Sequence, residues 1–148
     1  ENFGKFWQTV RGRDKIALNF ALPQLDRQID EIRLKNISRG VYGGGGWANY
    51  ISAYMNDLDK FAGLLGNQLR AGTGVAVVVL GNSVIQGEPI PVEQYMVQVG
   101  QMHDLKLEGV FTLRSRVGSS IVNTGTRLAG GEKYGLYDFA VVLRRTAC

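Results

Sequence analysis

The sequence predicts an α/β fold, and three observations carry that expectation. Apolar residues recur at helical spacing over 51–69 and over 92–102, an unbroken apolar run rich in β-branched valine fills 75–80 between them, and apolar and polar residues alternate over 105–114. Helix, buried strand, helix, strand is the order of a sheet containing a crossover connection. The 148 residues suit a single domain, since a chain of this length buries roughly 68–70% of its unfolded surface without disulfides or a structural metal.

The N-terminal elements come first. Over 13–33, Ile16, Phe20, Leu25, Ile29 and Ile32 fall near helical spacing, with Pro23 interrupting the register. Two short helices joined at Pro23 are expected, because proline inside a helix costs about 3 kcal/mol. Residues 34–42 lack a period and run into four glycines at 43–46, so this stretch reads as a loop. Ile51, Tyr54, Met55, Leu58, Phe61, Ala62, Leu65 and Leu69 then form one apolar stripe, and Gly72 stands where a helix C-cap belongs. The run at 75–80 is continuous and short, the pattern of a strand buried on both faces in the interior of a parallel sheet. Gly81, Asn82 and Ser83 end it, a turn occupies 87–90, and Pro91 opens a helix with Val92, Tyr95, Met96, Val99 and Met102 on its apolar face. Leu105, Leu107, Phe111 and Leu113 alternate with Lys106, Glu108, Thr112 and Arg114, a strand with a bulge expected at Gly109. A polar, Gly-rich segment leads to a last strand over 137–143 that pairs antiparallel with it. A helical N-terminal segment is placed at 1–40 and the α/β part at 41–148.

Composition narrows the chemistry. With 45% hydrophobic and 20% charged residues the chain is ordinary for a globular protein, and 20 Gly against 3 Pro point to tight turns and close backbone approaches. The longest apolar run, 75–80, is far short of the roughly 20 residues that cross a bilayer. No basic stretch leading into an apolar one opens the chain, so a soluble, cytoplasmic protein with no membrane contact is expected. One cysteine, Cys148, and one histidine, His103, leave no intrachain disulfide and no ligand set for a structural zinc, and no metal is expected. The glycines at 43–46 lack the flanking pattern of a phosphate loop. His103 comes directly after a helix, where it caps carbonyls, and Asp57 and Asp59, two apart, face different sides of theirs.

Ligands of open α/β sheets bind at the carboxyl ends of strands, which directs attention to 81–87 and to Glu88 beside it. The net charge of +4 favours anionic partners. Arg11, Arg13 and Lys15 precede the first helix, while Arg114, Arg116 and Arg127 flank the Gly-rich segment. Convergence of the two groups would make a phosphate-binding surface. Phe6, Trp7, Tyr42 and Trp47 add aromatic surface that stacks on an extruded base or packs against the sheet.

The run LRAGTGVAVVVLGNSVIQGEPIP, with ANYISAYMNDLDKFAGLLGNQ before it and VEQYMVQVGQMHDLKLEGVFTLRSR after it, resembles the later half of S-adenosylmethionine-dependent DNA methyltransferases of the N4-cytosine and N6-adenine type, over residues 42–145. That family carries here a helix with a tyrosine and an acidic residue, a Leu-basic-Gly turn, a buried strand ending in Gly-Asn or Gly-Asp, a loop with Ile-Pro, a helix and a final strand pair. The resemblance implies a partial Rossmann-like sheet and places Gly81, Asn82, Ser83 and Glu88 on the base side of the pocket, with Tyr42 and Trp47 nearby. It puts Arg114 and Arg116 on a strand leading to a DNA-facing loop. The chain lacks the family's [SND]-P-P-[YFW] catalytic motif and its Phe-x-Gly-x-Gly cofactor turn, and 1–39 resembles the stretch just downstream of the catalytic tetrapeptide. A fragment or split half, inactive alone, is therefore expected, with S-adenosylmethionine and DNA entering only through the family and with a missing half or a second copy as partner. The competing expectation is a non-catalytic nucleic-acid-binding or oligomerising module whose exposed sheet edge pairs with itself or with a missing half. A separate small-molecule enzyme would need a nucleophile or metal motif that the sequence does not supply.

Overall fold

A computed structural model describes residues 7–116 and 134–147 of the chain. Two compact units divide it, Glu1–Asp59 and Lys60–Cys148, with the division falling inside one long helix.

The first unit begins with a single turn, α1 (Trp7–Val10), and an extended strap leads from it to α2 (Pro23–Arg33). The two helices expected over 13–33 are thus one. Pro23 opens α2 instead of interrupting a longer helix, because its missing N–H and fixed φ suit the first helical position. Its stripe of Leu25, Ile29 and Ile32 is buried, as are Val10 and, on α3 (Gly44–Gln68), Ala48, Ile51, Met55 and Leu58. The loop expected at 34–46 is instead a tight 3₁₀ stretch, Ile37–Tyr42, running straight into α3. Glycine is needed there for space: a Cβ on Gly43, Gly44 or Gly46 would strike the carbonyl oxygens of Asn36, Ile32 and Val41.

The second unit holds a three-stranded sheet. Its strands are β1 (Val75–Gly81), β4 (Leu105–Ser115) and β5 (Tyr137–Arg145), in the spatial order β1-β5-β4 with both pairs antiparallel. Between β1 and β4 in sequence come a small hairpin, β2 (Ser83–Ile85) with β3 (Glu88–Ile90), and α4 (Val92–Gln101). Gln86 and Gly87 form its two-residue turn at φ 53° and 77°, the positive values that a tight hairpin requires. Because β5 opposes both neighbours, β1 and β4 run parallel to each other and α4 is the crossover between them. Val92, Tyr95, Met96 and Val99 of α4 are buried together with Val78, Leu80, Leu105, Val141 and Leu143 of the sheet. A Cβ on Gly100 would sit 3.5 Å from Leu105 and Leu143, which brings α4 down onto that face. The bulge expected at Gly109 is present, and a second lies between Thr112 and Arg114. Gly72 is no helix cap: at φ 77° its N–H donates to the carbonyls of Arg145 and Thr146, at 3.0 and 3.1 Å, tying the turn to the end of β5.

The fold is therefore mixed α/β with antiparallel pairing, and one expectation about β1 is overturned. Among the described residues β1 is an edge strand with β5 as its one neighbour, not the interior strand of a parallel sheet. Val78 and Leu80 lie under α4 at 9% and 8% exposure, whereas Val75, Val77 and Val79 on the opposite face are 41%, 62% and 61% exposed. The reason is geometric: side chains alternate across a strand, and α4 covers one face.

Candidate functional site

The carboxyl end of β1 is organised by Asn82. Its side chain is 3% exposed and engaged on both sides: Oδ1 accepts from the Tyr137 N–H at 2.8 Å, and Nδ2 donates to the Gly135 carbonyl at 2.9 Å. Arg116 reaches the same place, donating to the Asn82 backbone carbonyl and, at 3.3 Å, to Oδ1. Asn82 thereby ties the end of β1 to the start of β5 and the end of β4. A buried amide left without such partners would cost about 1–3 kcal/mol, so these bonds fix the geometry of the strand ends.

Gly81 and Arg116 are matched in space. A Cβ on Gly81 would lie 2.9 Å from the Arg116 guanidinium, so the glycine makes room for that cation over the strand. Asp138 lies between two arginines, 2.6 Å from Arg114 Nε and 3.4 Å from Arg116 Nε. Two guanidiniums on one carboxylate leave an excess positive charge at this end of the sheet, with the Arg114 side chain 78% exposed. Ser83 and Glu88 stand in the hairpin, opposite Ile90 and Ile85, and both are half-buried.

The remaining expected residues belong to the first unit. Trp7 stacks on Trp47 with ring centres 5.1 Å apart, Tyr42 closes on Trp7 at 5.5 Å, and Tyr50 meets Trp47 edge-on at 5.8 Å. The Arg11 guanidinium lies 4.5 Å from the Trp7 ring centre and 5.0 Å from that of Tyr42, within cation–π range of both. Arg11, from the expected phosphate set, and Tyr42 and Trp47, from the expected base set, thus form one cluster. Tyr42 is 54% exposed and Trp47 half-buried. Arg13 is exposed, and Lys15 pairs with Asp30 at 3.2 Å across open solvent, an ion pair contributing little. Arg127 and Phe6 lie outside the described residues.

Asn49 and Asn56 are absent from the residues that the sequence marks as candidates, and the stripe expected over 51–69 puts Asn56 on the outer face, yet Asn56 is buried and both hold the strap that carries these cations. Asn49, 1% exposed, donates to the carbonyls of Val10, Arg13 and Asp14 at 3.0–3.3 Å, and its Oδ1 accepts from the Ile16 N–H and Arg33. Two turns on, Asn56 accepts from the Asn19 N–H at 2.7 Å and donates to the Ala17 carbonyl at 2.9 Å. A signal for them exists: Asn49, Ser52 and Asn56 interrupt the apolar face of α3 at helical spacing, where a polar side chain needs a partner. Burial lowers the pKa of Arg33, a tendency that the charge of Asp30 opposes.

His103 is half-buried against α3, its imidazole 3.4 Å from where a Cβ on Gly63 would lie. A groove of about 450 Å³ runs along α4 above β4 and β5, lined by Glu93, Gln94, Val97, Gln98, Leu107, Val110 and Phe139. None of the expected base-side residues lines it. Glu93 is 8% exposed, its Oε2 has no hydrogen-bond partner, and burial pushes its pKa up. Among the described residues no group of three or more His, Cys, Asp or Glu could hold a metal, and no helix is long and apolar enough to cross a membrane. No protein-family model, curated protein or solved structure matches the chain.

Proposed function

We propose that the chain is the later half of a DNA amino-methyltransferase, inactive alone, that supplies the base-side wall and part of the DNA-facing surface to a half carrying the cofactor turn and the Pro-Pro-aromatic motif. The observation that carries this reading is the succession around the sheet. A β-branched strand ends at Gly81-Asn82, Ile90-Pro91 comes next, α4 crosses to a strand parallel with the first, and β4 and β5 close as an antiparallel pair. That is the order of the family's later half. On this reading S-adenosylmethionine sits on the other half, because at the end of β1 the Arg116 guanidinium lies over Gly81 and the Asn82 amide is committed to the chain itself. Asn82 is then a positioning residue, and Arg13, Arg114 and Arg116 meet phosphates. Fluorescence anisotropy with random-sequence duplex DNA tests the reading. Binding is expected at about 50 mM salt and weakens as salt rises, and Arg13→Ala lowers the slope by about one counterion. No binding at that salt defeats it.

A second reading, a nucleic-acid-binding or oligomerising module without catalysis, is favoured by the outer edge of β1, to which the described residues supply no strand.

A further inference from the structure

The backbone of β1 divides by residue number. The Arg145 N–H donates to the Gly74 carbonyl at 2.8 Å and the Asn82 N–H to the Tyr137 carbonyl at 3.4 Å. With Val75 opposite Arg144 and Gly81 opposite Asp138, these two bonds identify residues 74, 76, 78, 80 and 82 as the ones bonded to β5. Val75, Val77, Val79 and Gly81 therefore turn their N–H and C=O groups to the side where the described residues supply no strand. Nothing in β1 guards that side. Its sequence, VAVVVLG, has no charge and no proline, and its ladder to β5 runs without a bulge. Such an edge is a template for another strand.

We propose that β1 pairs antiparallel with the β1 of a second copy about a two-fold axis, joining two three-stranded sheets into one. Among the described residues the three-stranded sheet has two edges, β1 and β4, and their charges decide which one meets β1. An approaching β4 would bring Lys106, Glu108 and Arg114 and two bulges against a row of valines, whereas β1 brings an uncharged, regular strand. Full overlap of the seven residues sets Val77 against the partner's Val79, a β-branched cross-strand pair. A two-fold contact closes the assembly at a dimer, while β1 on β4 is a head-to-tail contact that builds a larger ring or an open filament. The inference rests on the edge alone and does not need the methyltransferase reading.

Sedimentation equilibrium of the intact chain tests it. At roughly 50 µM the expected mass is twice the 16.3 kDa of one chain. Val77→Pro and Val79→Pro each remove an outward N–H while leaving every bond to β5, so they are expected to weaken association at least tenfold with an unchanged circular dichroism spectrum. Should either proline variant unfold, the double variant Val77→Lys, Val79→Lys decides. It sets lysine against lysine across the two-fold and is expected to be monomeric at low salt. A monomeric natural chain at this concentration, a folded edge variant that stays dimeric, or a ladder of larger species overturns the proposal. DNA binding is read in a separate assay, so neither failure is mistaken for the other.

Discussion

The two outer strands of the sheet share β5 as their neighbour and differ in almost everything else. β4 carries Lys106, Glu108 and Arg114, is interrupted by two bulges, and is stitched to β5 by Arg144 with Glu108 and by Arg114 with Asp138. β1 carries no charge, has an unbroken ladder, and holds Val75, Val77 and Val79 on an uncovered face. Natural sheets blunt their margins with charges and bulges, and β4 has both. It is built to end a sheet, and β1 is built to continue one.

The largest effect is expected from proline at adjacent residues of β1. Ala76→Pro removes a bond to β5 and should destabilise by about 3 kcal/mol or more in urea unfolding, whereas Val77→Pro removes only an outward N–H and should cost much less. Equal costs at the two positions would mean that the assignment of inward and outward groups is wrong. Next comes Asn82→Ala, which leaves the Tyr137 N–H, the Gly135 carbonyl and Arg116 without their shared partner. A loss of about 1–3 kcal/mol is expected, and a neutral result would show that the strand ends are held by something else.

The groove over β4 offers a smaller, pH-dependent effect. Burial raises the pKa of Glu93 in the fold, so the folded chain holds that proton more tightly than the unfolded one. Stability from this group is therefore greatest at acid pH and falls as pH rises from the ordinary carboxylate range through the raised value. Glu93→Gln should stabilise the fold at pH 8 and lose that advantage near pH 4. A constant difference across that range would remove burial as the cause. The smallest effect belongs to the protected edge: Glu108→Ala breaks a half-exposed ion pair with Arg144 and should cost under about 1 kcal/mol, less at high salt, without changing the state of association.

Much of the fold is legible in the sequence, because local pattern decides it. The β-branched run, the apolar face of α4 and the bulge at Gly109 depend on neighbours close in the chain, and their expected bounds are nearly those of the structure. The strap over 11–22 is not legible, because Asn49 and Asn56, more than 30 residues away, hold it against the helical spacing of its own residues. Pro23 reads as a break when it is a beginning. The glycines at 43–46 read as slack, yet three of them are required by carbonyls of preceding residues that press on the start of α3. The candidate site is half legible. Asn82 stands out in the sequence, but its bonds to Gly135 and Tyr137 span more than 50 residues, and no spacing rule reaches that far. Trp7 and Arg11 are four residues apart, within reach of a spacing rule, whereas the meeting of Arg11 with Tyr42 is not. As for β1, its sequence describes a strand with a neighbour on each side, and the described residues supply one.

Amide hydrogen exchange measured by NMR as a function of protein concentration tests that asymmetry most directly. The N–H groups of Val75, Val77, Val79 and Gly81 are expected to exchange quickly in dilute solution and to become protected together as concentration rises, while the outer amides of β4 do not change. Outward β1 amides that exchange at the same rate at every concentration, or protection that emerges on β4 instead, would contradict it.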